Sequence, residues 1–302
     1  MLIVEQLLNG VQLGLMLFLL AAGLTLVFGI MDTINLAHGS LYMVGAYLAA
    51  AIGQASGSFW LGMLGAVAGT AVVGVALETT LLRRLYRRSH LSQVLATFGV
   101  ILIANEIVRL VWGSQPILLN PPPALAGPVE LFGMRYPAYR LVVIVAGLAV
   151  ALLLWLLVTR TRAGMWVRAG ASDREMAEVM GIDTRRLFTL VFAIGAALCA
   201  VAGALLGPLL AVQVGMGEDV LILAFVVISI GGIGSIRGAL LGALLVGLVD
   251  TAGRAFLPLL FRSLLPPSVA AEAGPAVAAM AIYMLMAAVL ALRPGGLFPA
   301  RG

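Results

Sequence analysis

The sequence predicts a single all-α domain over residues 1–302, a polytopic transmembrane helical bundle of about eight or nine spans with broken or re-entrant helices. Three observations carry this. Hydrophobic residues make up 62% of the 302-residue chain and charged residues only 10%, at a mean hydropathy of +1.12, a balance that hydrocarbon solvent demands and a water-soluble core does not. Apolar blocks of about 17 to 25 residues, enough to cross roughly 30 Å of hydrocarbon at 1.5 Å per residue, recur along the whole chain. All 18 basic residues are Arg, and most gather in a few short segments between the blocks.

In chain order, the first block runs near 7–30. It follows "MLIVEQLLNG", which has Glu5 but no basic residue ahead of the apolar run, and no small-residue cleavage site follows, so the block is expected to stay as a span. The stretch "MDTINLAHGS", 31–40, then interrupts the apolar run before a second block near 39–55. A charged group at mid-bilayer costs about 2.5–3.5 kcal/mol, so Asp32, Asn35 and His38 belong either to a tight turn at the cytoplasmic edge or to a hydrated break buried in protein. Blocks near 60–82 and 92–112 flank "RRLYRRSH", whose four Arg place a loop at about 83–91 in the cytoplasm. Trp60 and Trp112 then fall at outer interfaces. The Pro-rich segment at about 113–139 holds only Arg135 and Arg140 and reads as an extracytoplasmic loop with room for a short hairpin. After a block near 140–159, six Arg between Arg160 and Arg186 mark a second cytoplasmic loop at about 160–186. The remaining blocks lie near 187–212, 219–236, 238–260 and 275–292. Arg293 and Arg301 agree with a cytoplasmic tail, while Arg254 and Arg262 dissent mildly.

Small residues in "GAVAGTAVVG", "GALLGPLL" and "GGIGSIRGALLGALLVG" allow helix backbones to touch, so dense packing is the default reading of the 36 glycines. Cys199, the one cysteine, has no disulfide partner and reads as packing. Asn105, Glu106 and Arg109 stand at i,i+3 and i,i+4 spacings on one helix face, where mutual pairing near the outer interface accounts for them. A second interruption, "GGIGSIRG" at 231–238, mirrors the first. Paired breaks in the two halves of a bundle can flank a substrate path, and plain turns fit equally. The candidate path residues are Asn35, His38, Gly39 and Ser40 at the first break and Gly231, Gly232, Gly234 and Ser235 at the second.

The cytoplasmic loop "RTRAGMWVRAGASDREMAEVMGIDTRR" carries the punctuation of a short helix. Ser172 and Glu175 form a Ser-x-x-Glu capping box, and Gly181 supplies the stop. Met176, Val179 and Met180 at i, i+3 and i+4 give that helix an apolar tip. Such a tip fits a helix resting on the bilayer or the bundle, and it fits equally a knob that docks into a groove of a cytoplasmic partner.

Several chemistries are excluded. A phosphate-cradling loop ending in Gly-Lys-Ser/Thr is impossible in a chain without Lys, so any ATPase must be a separate subunit. His38 and His90 have no companions at metal-ligand spacing, and "GSIRG" is not a Gly-x-Ser-x-Gly nucleophile turn. No catalytic residue, metal site or cofactor is expected. The net charge of +5 reflects loop Arg that orient the chain in a membrane, not a nucleic-acid partner.

At these residues the chain resembles the permease subunits of branched-chain amino acid ABC importers. "TINLAHGSLYMVGAYL", "AGASDREMAEVMGIDTRRLFTLVFAIGAALCAVAGALLGP", "GGIGSIRGALLGALLVG" and "LRPGGLFPARG" stand in that family's order, nearly end to end. The resemblance implies that residues 172–181, with Ser172, Glu175, Met176, Val179, Met180 and Gly181, are the coupling helix that seats on an ATP-binding cassette subunit. It implies that Asn35 to Gly39 belong to a broken-helix region near the translocation path. It further implies a second permease chain, identical or different, two cytoplasmic ATPase subunits, an external solute-binding protein, membrane lipid around the bundle, and a bacterial cytoplasmic (inner) membrane. The alternatives are an ion-gradient-driven secondary transporter, the same importer class serving urea, amides or aromatic acids, and, last, an intramembrane enzyme using Asp32 and His38.

Overall fold

An apolar surface on every side gives a helix no preferred face, and α1 (Leu2–Met31) accordingly runs through the middle of the molecule. From Leu15 to Leu24 it is buried on all sides, and 83% of its most apolar window is covered by protein. The computed structural model describes residues 2–31, 33, 35–86, 88–131, 133–264 and 266–298. Asp32 and Arg301, both used in the sequence reading, lie outside them.

After α1 the chain doubles back into α2 (His38–Ser56) and continues through α3 (Phe59–Leu77) into a π-helical turn at Glu78–Leu82 and the short α4 (Arg83–Leu85). α5 (His90–Trp112) precedes the Pro-rich segment, in which a 3-10 turn at Pro123–Leu125 is followed by the antiparallel hairpin β1 (Pro128–Leu131) and β2 (Met134–Pro137). α6 (Ala138–Arg160) returns to two short helices, α7 (Arg162–Ser172) and α8 (Arg174–Val179). The second half comprises α9 (Thr184–Leu206), α10 (Met216–Gly231), α11 (Ile236–Leu264) and α12 (Pro267–Leu292). α1 packs most extensively on α11 and then on α9, while α2 joins α3 and α9.

Seven of the described helices are long and apolar enough to cross a membrane: those at Leu2–Met31, Phe59–Leu85, His90–Trp112, Ala138–Arg160, Thr184–Leu206, Ile236–Ser263 and Glu272–Leu292. The expected eight or nine spans included two more, near 39–55 and 219–236, which correspond to α2 and α10. With 16 residues α10 rises only about 24 Å, short of roughly 30 Å of hydrocarbon. The span drawn to residue 212 ends at Leu206, because Pro208, two residues on, has no N–H to carry the helical ladder further. The last span was drawn from Pro275, yet α12 begins at Pro267 and carries Pro275 inside, a position that transmembrane helices tolerate.

Short polar side chains start several helices by accepting from otherwise unpaired amides. Ser89 receives Ser92 N–H in α5, Thr161 receives Gly164 N–H in α7 and Asp183 receives Arg186 N–H in α9. The two ends of the bundle are distinct. At one, the Tyr136 hydroxyl donates to Asn9 Oδ1 over 2.9 Å, with Arg140 on the same oxygen, so the start of α1 lies under the hairpin; burial there pushes the Tyr136 phenol up from its ordinary pKa. At the other, Gly170 of α7 faces Ile30 of α1 and Leu187 of α9.

Candidate functional site: a buried break and an exposed knob

Residues 33 and 35–37 turn inward. Asn35 is 1% exposed, its Oδ1 accepts from Ala37 N–H at 3.1 Å, and Leu36 N–H donates to Thr97 Oγ1 of α5 at 3.3 Å. His38, the first residue of α2, is fully buried beside Gly23 of α1 and Gly195, midway along α9. The first polar interruption is therefore a break inside the bundle, not a turn at its edge. Its sequence partner was invisible: Cys199, read as packing, lies with Sγ 3.1 Å from His38 Nε2 and also donates to the His38 carbonyl at 3.6 Å. Ser40 is buried in the first turn of α2. Gly39 meets Gly217 of α10 backbone to backbone, so that a Cβ on either would collide with the other's carbonyl.

The second interruption has a different neighbour. Gly231 closes α10, Gly232 and Gly234 take positive φ of 105° and 81°, and Ser235 Oγ accepts from Gly238 N–H at 3.1 Å to start α11. The C-terminal segment clasps this turn: Leu297 N–H donates to Ile230 O at 2.8 Å and Phe298 N–H to Gly231 O at 2.9 Å. Gly234 also touches Gly29 of α1. The two breaks thus meet α1 at Gly23 and Gly29, about 9 Å apart along its axis, and Gly231 to Ser235 do not join Asn35 to Ser40 in one cluster.

At the end of the bundle where α1 finishes, Ser172 closes α7 and Asp173 starts α8, with Asp173 Oδ1 accepting from Met176 N–H at 2.9 Å. The expected capping box is displaced by one residue. A carboxylate is a stronger acceptor than a hydroxyl, and with Asp173 as N-cap Glu175 stands at the second helical position, where it complements the helix dipole and not the box. Gly181 has φ +86°, its N–H donates to Glu178 O and Ile182 N–H to Ala177 O, both at 3.0 Å, which is a Schellman stop. Ala177 is buried, whereas Met176, Val179 and Met180 are 57%, 83% and 77% exposed. A cavity of about 360 Å³, lined by Trp166, Met180, Gly181 and Leu187, lies at the foot of α8.

Two acidic sites escaped the sequence reading. Glu78, 0% exposed in the π-helical turn, receives Arg83 at 2.9 Å, the Tyr86 hydroxyl at 2.9 Å and the Thr189 hydroxyl of α9 at 2.7 Å. An acid inside the apolar run "VALETTLL" was the available signal. Glu218, in the first turn of α10, accepts from Asn105 Nδ2 at 2.6 Å. The expected cluster of Asn105, Glu106 and Arg109 is thereby split: Glu106 and Arg109 pair at 2.7 Å on the exposed face, and Asn105 reaches across to α10.

This architecture can be compared with known proteins. The family model described as "Branched-chain amino acid transport system / permease component" matches residues 6–290. The chain is 33% identical over 275 residues to the high-affinity branched-chain amino acid transport system permease protein LivH of Escherichia coli K12, covering 84% of this chain and 86% of that one. It is 35% identical over 265 residues to BraD of Pseudomonas aeruginosa, a protein with the same description, over 82% and 85% of the two chains. A shorter likeness, 31% over 168 residues, covers 51% of this chain and 43% of the fructose import permease protein FrcC of Rhizobium meliloti. A matched model spanning almost the whole of this multi-pass membrane protein, with relatives above 30% identity over most of their length, shows that the chain belongs to the family of permease components of branched-chain amino acid transport systems.

Proposed function

We propose that this chain is the permease subunit of an ATP-driven importer of branched-chain amino acids in the bacterial inner membrane. It works with a second permease, two cytoplasmic ATP-binding cassette subunits and an external solute-binding protein, and it catalyses no covalent step itself. The observation that carries the reading is α8. A six-residue helix, capped at both ends and presenting Met176, Val179 and Met180 to the cytoplasm, is costly to expose unless a partner covers it. Asp173 and Gly181 fix where that tip points, Ser172 and Glu175 stand at its start, and the ATPase receives it.

The translocation path in this reading passes the buried break at Asn35, His38, Gly39 and Ser40. Gly231, Gly232, Gly234 and Ser235 form its inner hinge, held by the C-terminal clasp. Polar groups kept inside a membrane bundle in this way are costly, and a solute path is the usual return on that cost. The test is uptake by proteoliposomes holding the assembled complex, with L-leucine-loaded binding protein outside. Uptake should require ATP and survive a protonophore. Collapse with protonophore while ATP is present would instead make the chain an ion-coupled carrier. Asn35→Leu and His38→Leu should each reduce uptake severalfold at unchanged membrane abundance; wild-type uptake in both would return the break to a purely structural role.

A further inference from the structure

We infer that the seam between α2, α5 and α10 recognises the charged head of an α-amino acid, Glu218 and Asn105 taking its ammonium and Asn35 with the first-turn amides of α2 taking its carboxylate. This deepens the transport reading above and rests on it.

The acceptor pole comes first. Glu218 Oε1 accepts from Asn105 Nδ2, while Glu218 Oε2 and Asn105 Oδ1 are buried without a hydrogen-bond partner among the described residues. Glu218 stands in the first turn of α10, and among the described residues no cation forms an ion pair with it. On this hydrogen-bonded pair two further acceptors therefore stand with no donor among the described residues. An ammonium supplies N–H donors and the opposite charge in one group.

The donor pole has the reverse polarity. Asn35 is 1% exposed, its Oδ1 is occupied by Ala37 N–H, and its Nδ2 has no partner among the described residues. It stands at the start of the 19-residue α2, whose N-cap Ala37 has no side chain to accept from the first-turn amides. Those amides and Nδ2 are all donors, at the positive end of a helix, which is the arrangement that holds a carboxylate.

The fold brings the poles to one seam. Gly39 against Gly217 sets the first turns of α2 and α10 side by side, and Glu218 is the next residue. On α5, Thr97 receives Leu36 N–H from the break and Asn105 binds Glu218 two helical turns further along. A neutral sugar would leave the Glu218 carboxylate uncompensated, whereas a zwitterion satisfies both ends.

The assembled complex in proteoliposomes, with ATP inside and L-leucine-loaded binding protein outside, tests this. Wild-type uptake must be ATP-driven; its absence would sink the transport reading itself. Given that uptake, Glu218→Gln should lower its maximal rate about tenfold or more, with the half-saturating concentration of loaded binding protein unchanged and subunit stoichiometry normal. Should that variant fail to assemble, Asn105→Ala decides, with a severalfold fall in maximal rate expected. Wild-type rates in an assembled Glu218→Gln or Asn105→Ala complex would overturn the inference while leaving the transport reading standing. A shift confined to the half-saturating concentration would also overturn it, since Glu218 would then act on docking.

Discussion

Gly39 and Gly217 show how little room single residues have in this bundle. Each backbone fills the space where the other's Cβ would stand, so Gly39→Ala and Gly217→Ala should each destabilise by about 1–3 kcal/mol, the usual cost of overpacking. Gly99, mid-helix in α5 with open space around it, is the control: Gly99→Ala should hold or gain up to about 1 kcal/mol. Thermal unfolding in one detergent ranks the three. At Glu78 the problem is the partners left behind. Glu78→Leu would remove the acceptor that Arg83, Tyr86 and Thr189 share; Arg83 is 37% exposed and can rehydrate and Thr189 keeps Arg185 O, so a loss of about 2 kcal/mol is expected, read from the same melts. The special polar residues were legible at this scale where they broke an apolar run, as Asn35 and His38 do. Their partners were not. Cys199 lies 161 positions from His38, and Glu218 lies 113 from Asn105, separations that no local periodicity encodes.

Helix α8 was legible almost to the residue because its start, face and stop are all local signals. The one error, Ser172 in place of Asp173 as the cap, reflects two adjacent acceptors competing for the same amides. Asp173→Ala should loosen α8 by about 1 kcal/mol, seen as faster amide hydrogen exchange over 174–179, whereas Ser172→Ala should not. Met176→Asp places a charge on the exposed apolar tip. If the ATPase covers that tip, the substitution costs several kcal/mol of docking and uptake fails; normal ATPase co-purification with normal uptake would show α8 to be a solvated connector. Gly181 makes a different demand. It has empty space beside it but φ +86°, so Gly181→Asn should be tolerated and Gly181→Val should misdirect the knob, leaving ATPase bound but hydrolysis uncoupled from uptake. The C-terminal clasp on α10 had no comparable signal, since it consists of backbone bonds from Leu297 and Phe298 to residues far away in sequence.

For the whole molecule, Arg placement and block length disclosed most of the order of helices. They could not disclose which helix is central, because hydropathy reads the same for lipid and for other helices. The hairpin sits with the start of α1, and α7 sits with its end, in keeping with the Arg distribution. In a Cys199→Ala background, Pro122→Cys should react with an impermeant thiol reagent in intact cells, and Ser89→Cys and Ser172→Cys should react only after lysis. Labelling of the Ser89→Cys chain in sealed cells would invert the orientation.

The burial of α1 also bears on the order in which the protein is made. This enclosed helix leaves the ribosome well before its principal neighbours, α9 and α11, which belong to the far half of the chain. On release it can only meet lipid, which its apolar circumference tolerates. Lipid must later be stripped from every side as the late helices close around it. Biogenesis therefore ends with a long-range rearrangement within the bilayer, and a chain halted before α11 should leave α1 lipid-exposed and open to a membrane-soluble photo-crosslinker that the finished bundle excludes.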